Sequence, residues 1–360
     1  MKKIALLTIH YGESYGAVLQ TYATSKILNS LGYEVLLINL LDRKYDKRFF
    51  KIRTYFSLAK LINFNLLKII NFKLFKVRNY PKFIYRSYRL KRISNFKINY
   101  CIVGSDQVWN KAITQDRSLN YFLDFLPPEI KRFSLASSFG VYNWIENDEY
   151  TKKVDKELRK FDALSVREVS GVKILSEKFH LNSEQLIDPT LAWGNYDKFI
   201  SKTKEKDIIT CFILNTSNPL LFTIVNSLKK EYDLNVQFLD YMASSDEYEI
   251  IENWHKSPSN WIRYIKESSV VVTDSFHGVA FSLLFEKQFY VLCANKMKFA
   301  RISSLLKLVG LENRVLNSAE DLKNRIEDLK KTINYEPILK ILKNERERYY
   351  QYINKNIKNK

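Results

Sequence analysis

Cysteine is scarce in this chain: three in 360 residues, at Cys101, Cys211 and Cys293, scattered singly and with no CxxC pair. A disulfide framework is therefore excluded. Two of the thiols fall inside the apolar runs INYCIVG and DIITCFILN, with nothing basic beside them. Buried structural thiols in a reducing cytoplasm are the expectation. There is no run of about 18 apolar residues, so no membrane-spanning helix is expected. The opening MKKIALLTIHYGESYG has a basic start, but its apolar run ends at His10 without a small-residue cleavage site. It reads as a first strand and not as a signal peptide. HExxH and GK[ST] are missing, as is any cluster of metal-ligand spacing, so metalloenzyme and P-loop readings find no support. No metal and no cofactor are expected.

Acidic residues are nearly missing from one stretch. Between residues 43 and 97 there are 17 Lys and Arg against Asp46 alone, which concentrates +16 of the net +19 and leaves the remainder close to neutral. Aromatic and aliphatic residues are interleaved throughout, as in RTYFSLAKLINFNLLKIINFKLFKVRNYPKF. Three readings stand: a helical excursion on the first domain with a basic outer face, docking on an anionic membrane surface, or nucleic-acid binding. No nucleic-acid motif accompanies the charge, and the first two are preferred. The expected location is cytoplasmic, peripheral at the inner face of a membrane if the second reading holds.

What the chain does have is 46% apolar residues, ample for buried cores, and a length that suits two domains. Strand-like and helix-like patterns alternate. KIALLTI precedes a helical pattern over residues 17–31; YEVLLINL, INYCIVG, RFSLASSFG, ALSVRE and SEQLIDP follow with helices between. After a polar stretch at residues 197–206 the alternation restarts with IITCFILN, VQFLDY, VVVTDS and QFYVLCA. SPSNW begins a helix, with Ser257 or Ser259 as its cap. Continuous apolar strands separated by helices indicate parallel sheets covered on both faces. The expected fold is α/β with two Rossmann-like domains. The first covers residues 1–195 and carries the basic excursion 43–97. The second covers 206–335, and a charged helix occupies 336–360.

In open parallel sheets ligands bind outside the carboxyl ends of the strands, which directs attention to particular residues. The strongest candidate is VVVTDSFHG: an uninterrupted apolar strand, then Ser275, Phe276 and His277, then Gly278 opening an apolar helix. Helix-start amides and the helix dipole favour an anion there. His277 would bind that anion or pass a proton to it or to a neighbouring carbon; the alternative is a loop-ordering histidine. In IVGSDQVWN, Ser105 and Asp106 occupy the equivalent place, Asp106 being a general base toward a hydroxyl or a turn cap. Ser137 and Ser138 follow RFSLA. Arg167 in LSVRE is a candidate clamp for carboxylate or phosphate, the alternative being a surface ion pair with Glu168. His10, Tyr15 and Gly16 lie in the HYGESYG loop after the first strand. His180 and His255 look like surface residues.

Taken together, SYGAVLQTYA, IVGSDQVWN, SLASSFG, LSVRE, DPT and TDSFHGVAFSLLF, in this order and spacing, resemble the polysaccharide pyruvyl transferase family, over nearly the whole chain. The resemblance implies a GT-B-like pair of Rossmann-like halves with a cleft between them. It also implies transfer of the pyruvyl group of phosphoenolpyruvate onto two hydroxyls of a sugar or lipid-linked saccharide, as a ketal in surface polysaccharide such as exopolysaccharide or capsule. His277 would then be the acid or phosphate ligand, with Ser275 and the helix start holding the anion. Many relatives carry an arginine two residues before the histidine, where this chain has Ser275, so Arg301 is the candidate replacement cation. The competing readings are a nucleotide-sugar glycosyltransferase and a non-catalytic glycan- or membrane-binding protein of the same fold.

Overall fold

A computed structural model describes residues 2–40, 64–86, 96–200, 203–240, 249–250, 256–293 and 299–358. The chain divides into two compact units. The first comprises Met1–Ile62, Lys76–Trp193 and Lys343–Lys360, the second Asn63–Phe75 and Gly194–Leu342.

The first unit is built on five parallel strands: β1 (Lys3–Leu7), β2 (Glu34–Asn39), β3 (Lys82–Arg86), β4 (Tyr100–Val103) and β5 (Lys131–Ser134). Their order is β3-β2-β1-β4-β5, so β1 lies at the centre, with Ile4 facing Val35 on one side and Leu7 facing Val103 on the other. Ile4 through Leu7 are wholly buried, as a strand covered on both faces requires. The helix Tyr15–Ser30 is buried around nearly its whole circumference. Three of its buried hydroxyls are satisfied within the helix: those of Thr21, Thr24 and Ser25 each donate to the carbonyl four residues back, at 2.8 Å. The helix ends at Gly32, whose φ of +86° supplies the left-handed turn while the Tyr33 amide reaches back to the Leu28 carbonyl.

Two expectations change here. The basic stretch is not wholly helical, because KFIYR forms the edge strand β3, parallel to β2. Its other described element is the helix Phe64–Asn79, and residues 43–63 and 87–95 lie outside the described residues. ALSVRE and SEQLIDP do not extend the main sheet as full strands. They contribute the two-residue strands β6 (Ser165–Val166) and β7 (Glu184–Gln185), which pair with each other, and single bridges tie Phe133 to Ala163 and Ser137 to Val166.

The second unit repeats the architecture with six parallel strands: β8 (Lys206–Phe212), β9 (Asn235–Leu239), β10 (Glu249–Ile250), β11 (Ser268–Thr273), β12 (Gln288–Leu292) and β13 (Val315–Leu316). The order is β10-β9-β8-β11-β12-β13. β8 and β11 form the centre, with Val272 beside Cys211. Pro258 opens the helix Pro258–Glu267, and Ser257 is the cap that sequence left undecided, accepting from the Asn260 amide at 3.1 Å. Phe281 contacts Trp261 and Tyr196, at ring separations of 5.2 and 4.9 Å. In the last helix, Tyr335–Ile353, the Tyr335 hydroxyl donates to the Lys287 carbonyl in the second unit. Within the first unit Arg346 Nε donates to the Leu191 carbonyl at 2.8 Å and Tyr352 to that of Ser134 at 3.1 Å. Cys101 and Cys211 are buried, and burial raises both thiol pKa values.

Leu6 sits wholly buried on the central strand of the first sheet. Leu6→Ala is expected to cost about 2–5 kcal/mol, read as a lowered thermal or denaturant midpoint, because it opens a cavity between two fixed layers.

Candidate functional site

At the carboxyl ends of the first sheet, the side chains expected from sequence converge on one not singled out there, Asp188. It is buried, and Arg167 Nη1 donates to its Oδ2 at 2.5 Å. Ser105 Oγ donates to the same oxygen at 3.0 Å. The other oxygen, Oδ1, accepts from the Thr190 amide at 2.9 Å and from its hydroxyl at 2.6 Å. An Asp-Pro-Thr run is a helix-start signature, and the helix Pro189–Trp193 follows it; the pairing with Arg167, 21 positions earlier, leaves no local sequence trace.

Arg167 is buried, so a surface ion pair with Glu168 is not its environment. Burial opposes its charge, but Asp188, Asp106 and Glu168 more than offset this and hold the guanidinium pKa above its ordinary value. Glu168 faces elsewhere. Its Oε1 accepts from Ser138 Oγ and from the amides of Phe139 and Gly140, at 2.9–3.0 Å, which fixes the turn after β5.

Asp106 lies 4.0 Å from Arg167 Nη2 and holds the sparsely populated φ of +78°. Its Oδ1 accepts from the Gln107 amide at 2.9 Å, and it remains partly exposed. Of the acidic groups gathered here it is the one a ligand can reach: Asp188 and Glu168 are buried. Ser105 and Ser137 are buried, and their hydroxyls are committed to the protein. Ser105 donates to Asp188, and Ser137 to the carbonyls of Val103 and Gly104. They hold the strand ends that present Asp106.

His10 is buried beyond the end of β1. Its Nδ1 lies 3.0 Å from the Thr8 carbonyl oxygen and its Nε2 3.0 Å from Asn39 Oδ1. Burial lowers its pKa, against the hydrogen bonds to Thr8 and Asn39 that favour the charged ring. Tyr15 and Gly16 are not loop residues. They form the first turn of the helix Tyr15–Ser30, capped by Ser14 Oγ, and Tyr15 is buried. The loop before them receives Lys76, whose Nζ donates to the Gly12 carbonyl at 2.8 Å and whose pKa burial lowers to about 8. Its place within a long run of basic residues hid it from the sequence reading. His180 is exposed; His255 lies outside the described residues.

In the second unit the helix after β11 begins at Phe276, two residues before Gly278. Ser275 occupies the cap position in extended geometry but makes no side-chain cap bond. The reason for Gly278 is close approach: a Cβ there would stand 2.2 Å from Thr273 Oγ1. That hydroxyl donates to the Phe212 carbonyl at 2.6 Å and accepts from the Ser275 amide at 3.1 Å. Asp274 accepts from the amides of Leu214 and Asn215, at 2.7 and 2.8 Å, tying the end of β8 to that of β11. Burial raises its pKa, and these bonds counter part of the rise. His277 is in the first turn and nearly buried, its ring edge-on to Phe276 at 5.2 Å. The first amides of a helix have no acceptor within it, and they point toward the same end as His277. Arg301 occupies the first turn of the helix Ala300–Val309, after β12, and is half-buried. Among the described residues, no three His, Cys, Asp or Glu side chains gather as a metal site requires, and no helix is long and apolar enough to cross a membrane.

A family model described as "Polysaccharide pyruvyl transferase" matches residues 15–293. No curated protein matches the sequence. Among solved structures, the chain is similar to UDP-N-acetylglucosamine 2-epimerase from Rickettsia bellii, with a TM-score of 0.55 at 11% identity, covering 100% of both chains. A putative UDP-N-acetylglucosamine 2-epimerase from Listeria monocytogenes gives a TM-score of 0.56 at 11% identity, covering 98% of this chain and 91% of that one. MnaA of S. aureus, solved with UDP, gives 0.52 at 14% identity, covering 92% and 88%. At such identities the likeness shows the fold alone, an α/β GT-B-like architecture with parallel sheets.

Two expected outcomes follow. Asp188→Asn leaves Arg167 without its nearest charge in a buried setting and should destabilise the protein by about 3–5 kcal/mol in denaturant unfolding. His10 has a folded pKa below its unfolded value of 6.5, so its contribution is fully present above about pH 6.5 and is lost as pH falls through the folded value. A His10→Gln variant should show a flatter stability profile below pH 6.5 than the wild type.

Proposed function

The chain belongs to the polysaccharide pyruvyl transferase family, and from that premise we propose that it transfers the pyruvyl group of phosphoenolpyruvate to two hydroxyls of one sugar, forming a ketal in surface polysaccharide biosynthesis. The observation that carries the reading is the start of the helix Phe276–Leu284. A histidine stands in its first turn beside amides that favour an anion, with Thr273 and Asp274 holding the preceding strand end.

Protonation of the methylene carbon of phosphoenolpyruvate makes C2 electrophilic. One sugar hydroxyl adds there, the C2–O bond to phosphate breaks, and the second hydroxyl closes the ketal. The two hydroxyl protons are balanced by the one gained at the methyl carbon and the one leaving with phosphate. His277 is assigned the proton delivery, or the hydrogen bond to the departing phosphate. Phe276 and Gly278 are assigned the helix-start amides, Ser275 its hydroxyl, and Arg301 the cation that an arginine at position 275 would otherwise supply. In the first unit Asp106 is assigned the base that accepts a proton from a sugar hydroxyl. Arg167 holds Asp106 and Asp188 in place, and its charge sets the local field for a carboxylate or phosphate.

The decisive experiment is incubation of the protein with phosphoenolpyruvate and a panel of hexosides and lipid-linked saccharides. Phosphate release coupled to a pyruvyl mass gain on the sugar is expected. His277→Ala should reduce it by about 10²-fold or more while leaving the thermal midpoint within a few degrees of wild type. Thermal stabilisation by nucleotide sugars and none by phosphoenolpyruvate would replace the reading with glycosyl transfer. Full activity in the His277 variant would remove the histidine from the chemistry.

A further inference from the structure

The helix Phe64–Asn79 contains no acidic residue, and its described side chains sort onto opposite sides. Phe72 and Phe75 are buried, and Lys68, on the same side, pairs with Asp240. Leu67, Ile70, Leu74 and Val77 are 41%, 40%, 45% and 75% exposed. At 3.6 residues per turn these four fall within an arc of about 80° on the side opposite the phenylalanines. Lys73 and Arg78, both exposed, border the arc, one on each flank.

Single exposed aliphatic residues are ordinary on a protein surface; four aligned on one helix face, with cations at both margins, are not. The helix thus has two apolar faces, of which the protein covers one. We propose that the second face docks on an anionic lipid bilayer. Leu67, Ile70, Leu74 and Val77 enter the boundary between headgroups and acyl chains, while Lys73 and Arg78 lie at the level of the lipid phosphates.

Charge selects this occupant over the others. The 17 basic residues against one acid in residues 43–97 match a negative surface and oppose pairing with a second copy of the same segment. A stripe of four side chains also falls short of the ~800 Å² per partner that a stable protein interface uses. Nucleic acid would engage the cations through phosphates and leave the aliphatic stripe in water. The proposal is independent of the transfer reaction above and stands without it.

The test is co-sedimentation of the whole protein with vesicles of phosphatidylcholine alone and of phosphatidylcholine mixed with phosphatidylglycerol, at low and moderate salt. The protein is expected to bind the mixed vesicles, more weakly as salt rises, and to ignore the neutral ones. The exposed-site variants Leu74→Ser/Val77→Ser and Lys73→Glu/Arg78→Glu should each lower the partition coefficient by about tenfold or more. Their circular dichroism and thermal midpoints should match wild type. Absence of binding to anionic vesicles, equal binding to neutral ones, or undiminished binding by both variants would overturn the proposal. So would a dimer or an RNA complex that depends on these residues while vesicle binding does not.

Discussion

The buried pair between Arg167 and Asp188 is the interaction on which the first half of the molecule depends. Two charges withdrawn from water need hydrogen bonds beyond their mutual attraction. Ser105 and Thr190 fill the carboxylate's other positions, and Asp106 approaches the guanidinium from another direction. Segments far apart in the chain are thereby fixed to one point: the ends of β4 and β6 and the start of the helix Pro189–Trp193. The unusual backbone of Asp106 persists because the structure around it is over-determined. The Asp106 carbonyl accepts the amides of Val108 and Ser138, and a bridge joins it to Ser137.

In the second unit the corresponding strand ends are joined in another way. A neutral hydroxyl, that of Thr273, and the carboxylate of Asp274 hold β8 and β11 together through backbone groups. The anion preference around His277 comes from helix-start amides. The two halves thus share a fold and differ in electrostatic character: one is a dense network of opposed charges, the other a dipolar surface.

The alternation of apolar strands and helices made the parallel α/β class legible, because strands covered on both faces leave continuous apolar runs such as VVVT and YCIV. Local capping was legible too, at Ser257 and Pro258. Register and partnership were not. KFIYR is short and basic, and only its pairing with β2 makes it a strand. Asp188 lies in a recognisable helix start, but its role depends on a guanidinium 21 positions away. Gly278 was visible as a glycine at a helix start, yet its purpose, room for Thr273, needs the fold. Tyr15 and Gly16 read as loop because glycine and tyrosine are poor helix openers, and the Ser14 cap with tertiary burial overrides that preference.

The contact between Gly278 and Thr273 has a dynamic consequence. With no methyl group between them, the first turn of the helix and the last residue of β11 are in direct apposition, and the threonine hydroxyl bonds both the Ser275 amide and the end of β8. His277 therefore moves with the central sheet, on the slow timescale of collective deformation and not the nanosecond timescale of a surface loop. Its Cα is anchored. Any adjustment to different guests must be made by the guest or by more mobile parts of the chain.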